Sequence, residues 1–118
     1  MPAKSFKDLV IWQRSIRLVE DIYETTGAFP KEELYGLSAQ LRRGAVSIPS
    51  NIAEGFARRH NAEYKQFLYI SLGSLAEVST QLMIATNLGY LSEENSKRLL
   101  AEVEEISKMT MGLIKKLD

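Results

Sequence analysis

The chain has 118 residues, of which 45% are hydrophobic and 25% charged, a composition typical of one globular domain with its own core. It contains no cysteine, which excludes disulfides, thiolate catalysis and cysteine-bound metals. Lys and Arg balance Asp and Glu at fifteen each, and a net charge of zero argues against a generic polyanion binder.

The first half of the chain predicts two helices, because apolar residues recur there every three or four positions. The first covers about residues 7–26, and Gly27 is a natural C-terminal stop. The second covers about residues 31–58 and follows Pro30, a residue that suits the first helical turn. The predicted apolar stripe of this second helix is Leu34, Leu37, Leu41, Ala45, Ile48 and Ile52.

Pro49 lies inside the second helical segment. Its ring clashes with the carbonyl group four residues earlier, and its missing N–H removes one helical hydrogen bond. We therefore expect a kink in the second helix near Pro49. The alternative is two separate helices that divide near Ser47.

The second half of the chain predicts two further helices, over about residues 62–88 and 93–117. Asn61 and Ser92 precede them as candidate N-caps, and Gly89 follows the first of the two. All connections are short, so neighbouring helices should be antiparallel. The sequence therefore predicts a single all-α domain, residues 1–118, folded as an up-down-up-down four-helix bundle.

The second and third helices carry more polar and small residues than core helices usually do. We predict a hydrogen-bonded polar seam in which Arg43 pairs with Glu77 and Asn51 with Gln81. Such a seam adds little stability but can fix register and partner choice. It could lie within one chain or between subunits, and a solvated face is the alternative. The predicted seam residues are Arg43, Ser47, Asn51, Glu54, Glu77 and Gln81.

Basic residues are concentrated near the middle of the chain, where they form a candidate nucleic-acid contact. His60 and Tyr64 could stack on exposed bases beside them. The alternative is that the first two arginines form intersubunit ion pairs and the others belong to a solvated loop. The candidate contact residues are Arg42, Arg43, Arg58, Arg59 and Lys65.

The sequence holds no recognisable catalytic or cofactor-binding pattern. Its one histidine, His60, has no serine partner or second metal ligand nearby, and there is no glycine-rich phosphate loop. We expect no enzyme activity, cofactor, metal or small-molecule substrate.

Residues 1–7 form no apolar run and no segment predicts a membrane span, so we expect a cytoplasmic protein.

Four stretches together resemble one family, the four-helix-bundle (S23) proteins encoded in intervening sequences of bacterial 23S rRNA genes. They are residues 6–12, 22–30, 33–55 and 71–91. The most specific part is the run from Arg42 to Gly55, RRGAVSIPSNIAEG, in which glycine replaces an expected alanine at position 44. The resemblance covers nearly the whole chain.

This resemblance implies a homopentamer of helical bundles and a relation in fold to the accessory protein of diversity-generating retroelements. It implies no catalytic residues. The leading hypothesis is therefore a non-enzymatic homo-oligomeric scaffold, pentameric by resemblance, that binds structured RNA or a nucleic-acid enzyme. The alternative is a protein–protein interaction module with no nucleic-acid role, whose acidic fourth helix (Glu102, Glu104 and Glu105) would suit a basic partner.

Overall fold

The computed structural model describes residues 2–118, and within them every regular element is helical. Met1, which belongs to the predicted domain and to the predicted non-signal N-terminus, lies outside the described residues. Four long helices follow in chain order: α1 (Val10–Gly27), α2 (Leu37–Phe56), α3 (Asn61–Asn87) and α4 (Glu93–Lys116). The fold is all-α, as the sequence predicted, and the contacts are those of a four-helix bundle.

The first two helices begin later than predicted. Ser5 and Asp8 form a reciprocal capping box that closes a separate 3₁₀ turn, Phe6–Asp8, and extended backbone at Leu9 separates that turn from α1. Residues Lys31–Glu33 likewise form a 3₁₀ turn instead of the start of α2. The Glu33 carboxylate accepts the Leu37 N–H at 3.0 Å, and this capping bond starts α2 at Leu37.

Helix α2 continues through Pro49 without division at Ser47, so the alternative of two separate helices is wrong. The kink remains a prediction. Leu34, placed in the apolar stripe by its spacing, precedes the helix and is half exposed. The later stripe residues, from Leu41 to Ile52, are fully buried.

At the ends of α3 and α4, one predicted cap is wrong, and one predicted stop and one predicted cap are confirmed. Asn61 does not cap α3, because its side-chain amide instead donates to the Leu117 carbonyl at 3.2 Å. Gly89 ends α3 with φ of +81°, and the Tyr90 N–H bonds back to the Ala85 carbonyl at 2.9 Å. Ser92 caps α4 by accepting the Asn95 N–H.

The core lies between all four helices. Its buried hydroxyls are satisfied locally: Ser15 donates to the Ile11 carbonyl at 2.6 Å and Thr110 to the Ile106 carbonyl at 2.7 Å. Polar groups therefore enter the core without unpaired hydrogen-bonding atoms at these positions. The largest fully buried side chains include Leu18, Ile22, Leu41, Ile48, Ile52, Leu68, Leu75, Leu82, Leu99 and Ile106.

Candidate functional site: polar groove, charged ends and apolar outer face

Helices α2 and α3 run in opposite directions and enclose a polar groove of about 360 Å³. The two hydroxyls of Ser47 and Ser74 meet across it at 2.7 Å. The groove is lined by Gln40, Arg43, Ser47, Ser74, Glu77 and Gln81, with Gly44 at its floor. Four of the six predicted seam residues therefore come together within one chain.

The predicted amide pair of Asn51 and Gln81 is wrong. Asn51 instead donates to the carbonyl and hydroxyl of Ser47, at 2.8 and 3.0 Å, while the Gln81 amide donates to Gln40 at 3.4 Å. The register explains this, since Gln40 lies opposite Gln81 and is eleven residues, about 16 Å of helix, from Asn51. The Oε1 atom of Gln81 is the one buried side-chain acceptor among residues 2–118 that lacks a hydrogen-bond partner.

The predicted ion pair of Arg43 and Glu77 is not formed within the chain. Both side chains line the polar groove and both are exposed, but no ion pair within 4 Å joins them in the described residues. Glu54, the sixth predicted seam residue, lies outside the groove and pairs with Arg58 at 3.3 Å. Arg43 and Glu77 therefore keep their charges available for another molecule.

The five predicted nucleic-acid contacts do not form one patch, because sixteen residues, about 24 Å of helix, separate Arg42 from Arg58. Arg42 joins α2 to the end of α1: it donates to the Thr26 hydroxyl at 2.8 Å, and its guanidinium carbon lies 4.7 Å from the Tyr23 ring centroid. This arginine has a structural role, and Arg43 lies at the polar groove.

The other three predicted contacts lie around the connection between α2 and α3. Arg58 pairs with Glu54 and covers the Phe67 ring at 5.0 Å, and Lys65 binds the Asp118 carboxylate. Arg59 is exposed and forms no ion pair in the described part of the chain. Tyr64 is half-buried, which raises its pKa and limits its use as a stacking platform.

The contacts bring further cations to this same end of the bundle. The bonds from Asn61 and Lys65 reach the end of α4, and the N-terminal 3₁₀ turn packs against α2. We call this region the basic end. Its cations are Lys4, Lys7, Arg58, Arg59, Lys65, Lys115 and Lys116, with His60 beside them.

The opposite end is acidic. Tyr90, after α3, donates to the Glu33 carboxylate at 3.1 Å, a bond that raises the pKa of Tyr90, and Arg98 pairs with Asp21 at 3.2 Å. These contacts group the end of α1 with the starts of α2 and α4. The acids of this end are Glu20, Asp21, Glu24, Glu32, Glu33, Glu93 and Glu94. The basic end also holds Asp8, Glu54, Glu63 and Asp118, and the acidic end also holds Lys31, Lys97 and Arg98, so the two ends carry small net charges of opposite sign.

The outer face of α3 is apolar although its own chain does not cover it. Of the described helices, α3 alone is long and apolar enough to cross a membrane, a criterion that core helices of soluble proteins also meet. Only a third of its most apolar stretch is buried. The outer face consists of Tyr69, Ile70, Gly73, Ala76, Thr80, Met83 and Ile84, whose four large side chains are 43–55% exposed.

Two glycines are explained by close helix packing within the chain, and a third is not. A Cβ atom on Gly44 would lie 3.1 Å from Val78, and one on Gly55 would lie 2.8 Å from the Phe67 Cβ. A Cβ atom on Gly73 would meet nothing within 4 Å. Glycine in a helix interior is about 1 kcal/mol less favourable than alanine, and packing within the chain explains neither Gly73 nor Gly112 in α4, where a Cβ atom would also meet nothing.

The outer face was not identified from the sequence. Its signal was present, since α3 is apolar around most of its circumference, whereas a surface helix with one buried face shows a clear apolar stripe. The spacing of three and four residues predicts the inner residues, such as Leu75 and Leu82, and gives the remaining apolar positions of α3 no role.

The described residues 2–118 contain no group of three or more His, Asp or Glu side chains that could hold a metal ion. One charged pair joins α1 to α4, where the Arg14 guanidinium donates to the Glu102 carboxylate at 3.0 Å. That hydrogen bond, with the negative charges of Glu102 and Glu105, raises the pKa of Arg14 despite the opposing effect of burial. The pair connects two helices and reads as a structural contact.

The fold and these surfaces define a small helical-bundle protein with a polar groove, two charged ends and an apolar outer face. Residues 7–112 match the family of 23S rRNA-intervening sequence proteins, and the chain belongs to that family. No curated protein matches the sequence.

A solved structure from Bacteroides thetaiotaomicron, a protein of unknown function from the S23 ribosomal protein family, is similar to this chain in fold. Its TM-score is 0.81 with 23% sequence identity, and the match covers 90% of this chain and 99% of that one.

Proposed function

We propose that the protein is a non-enzymatic, homo-oligomeric helical scaffold, pentameric as its family resemblance implies, that binds structured RNA at its basic end. The observation that carries the scaffold is the apolar outer face of α3. Four large side chains that are about half exposed stand there in two pairs, with small residues between them, and exposed apolar surface of this kind often serves an interaction. Self-association would remove this surface from water.

The RNA part of the proposal is supported by the separation of charge. Seven cations and His60 occupy the basic end, and Arg59 there has no partner that would neutralise it. Cations bind phosphate by releasing counterions, so the affinity falls steeply as salt rises. Repeating the basic end in an oligomer multiplies a contact that is modest in one chain.

The experiment measures mass and RNA binding on the same protein. Size exclusion with light scattering should give about five subunits, and a structured RNA hairpin should bind at low salt and dissociate at high salt. Arg58→Ala/Arg59→Ala should weaken RNA binding without changing the mass. Lys31→Ala/Lys97→Ala removes the same charge from the acidic end and should leave RNA binding intact. A monomer contradicts the scaffold, and equal binding by both variants contradicts the RNA interface.

The acidic end favours a second candidate function, a protein-interaction module that presents its acids to a basic partner. In that case the oligomer would form but show no salt-sensitive RNA binding. The same pair of measurements therefore separates the two functions.

A further inference from the structure

We propose that the outer face of α3 docks into a groove between α1 and α2 of a second copy, which makes the interface heterologous. The inference rests on the proposed self-association and adds the identity of the receiving surface. The receiving groove has a volume of about 290 Å³ and opens to solvent. It is lined by Trp12, Ile16, Val19, Val46, Pro49 and Ala53, with Ser50 at its edge.

The receiving groove is apolar and shallow enough to accept side chains from outside. Val46 is 40% exposed, so the wall of the groove loses water-accessible apolar surface when it is covered. The one hydroxyl, on Ser50, is already satisfied by the Val46 carbonyl at 2.8 Å. Small residues at Ser50 and Ala53 leave space for a larger side chain between the two helices.

The outer face of α3 has the complementary shape. Its large residues stand in two groups, Tyr69 with Ile70 and Met83 with Ile84, and small residues separate them. Gly73 allows the backbone of α3 to approach another surface closely, and a Cβ atom there would meet nothing in its own chain. The chain therefore carries both a ridge with a low centre and an apolar groove, on different sides of the bundle.

Charge favours this pairing over contact between two α3 helices. Glu77 lies halfway along the outer face, between Ile70 and Ile84 on the edge that borders the polar groove, and it is the only charged residue of α3 after Lys65. Two outer faces related by a two-fold axis would bring their Glu77 carboxylates together. In the heterologous arrangement Glu77 instead meets Arg43, which lies one turn from Val46 and forms no ion pair in its own chain.

Symmetry then sets the orientation of the charged ends. A heterologous contact closes into a ring or extends into a filament. Every subunit of a ring has the same orientation along the symmetry axis. Helices that pack side by side at a small crossing angle also keep the long axes of neighbouring bundles roughly parallel. The basic ends therefore gather on one rim of the ring and the acidic ends on the other.

Absence of cysteine permits a direct test by crosslinking. Val46→Cys places one thiol at the receiving groove, Ala76→Cys places one on the outer face at the same height along the bundle, and Ala101→Cys serves as an exposed control on α4. Each variant is treated with a short bis-maleimide alone and in equimolar mixtures, and the mass of the uncrosslinked protein is measured by light scattering.

The proposal predicts a crosslinked dimer when the Val46→Cys and Ala76→Cys proteins are mixed, at least ten times more than in either mixture with Ala101→Cys. The double variant should give a ladder that stops at the subunit number of the ring. Strong crosslinking of Ala76→Cys alone would place α3 against α3 and overturn the inference while leaving the oligomer intact. A wild-type monomer would overturn the proposed scaffold itself, and binding to lipid vesicles by that monomer would identify a membrane as the occupant.

Discussion

The inner and outer faces of α3 have nearly the same chemistry and very different surroundings. Leu75, Val78 and Leu82 on the inner face are completely buried, whereas Met83 and Ile84, adjacent in sequence, are about half exposed. Hydrophobicity along the helix cannot distinguish the two faces. Packing within the chain distinguishes the two faces, because the isolated bundle buries only the inner one.

The largest expected effect is a difference in stability between two truncations at adjacent residues, one on the inner face of α3 and one on its outer face. Leu82→Ala should destabilise the chain by about 2–5 kcal/mol, because it leaves a cavity in a fully buried site. Met83→Ala should change the free energy of unfolding of the monomer by about 0.5 kcal/mol or less. Denaturant unfolding at low concentration measures both. A large loss for Met83→Ala in a demonstrably monomeric sample would mean that the chain itself covers the outer face.

Replacing glycines by alanine sharpens the comparison of the two faces, because the changes in the free energy of unfolding should have opposite signs. Gly55→Ala should destabilise by about 1–3 kcal/mol, since the new methyl group would lie 2.8 Å from the Phe67 Cβ. Gly73→Ala should stabilise the isolated chain by about 1 kcal/mol and weaken its association. Gly112→Ala is the matched control, also in open helix surface, and should stabilise without changing the mass. Equal association of the Gly73 and Gly112 variants would contradict an interface at Gly73.

Charge reversal across the proposed interface should have a smaller effect. It should weaken association, and mixing two oppositely reversed variants should restore it. Arg43→Glu and Glu77→Arg should each weaken association, because each places like charges together in every contact. Mixing the two variants recreates opposite charges at contacts between different variants, at most four of the five in a pentamer, so most of the lost mass should return in the mixture alone. If each variant assembles like the wild type, Arg43 and Glu77 do not meet between copies.

Much of the fold was predictable because local signals and core burial agree. Four apolar periods, Ser92 as a cap and Gly89 as a stop gave the helices, and the stripe from Leu41 to Ile52 is buried as expected. The errors lie where a side chain overrides the pattern. Glu33 caps Leu37 and delays α2, and Asn61 reaches the end of α4 instead of capping α3.

The candidate site was less predictable, because it depends on the register between helices and on which helix ends lie at the same end of the bundle. Sequence proximity suggested one basic patch, yet Arg42 packs on Tyr23 while Arg59 lies beyond the C-terminal end of α2, in the connection to α3. Lys115 and Lys116 join the basic end only through the contacts of Asn61 and Lys65 with the chain terminus. No periodicity in one helix reveals such long-range pairings.

The smallest expected effect concerns Tyr64, at the start of the inner side of α3. Burial raises its pKa, so the folded chain keeps the phenol proton that the unfolded chain releases near pH 10. This contribution to stability is complete below about pH 10 and is lost as pH rises through the folded pKa. Tyr64→Phe keeps the ring and removes the titration, so its free energy of unfolding should fall less than that of the wild type between about pH 9 and 11. Tyr35→Phe, at a 91% exposed residue, should follow the wild-type profile in the same denaturant titrations. Identical profiles for Tyr64→Phe and the wild type would show that water reaches the phenol, and that the covered side of α3 ends before its first turns.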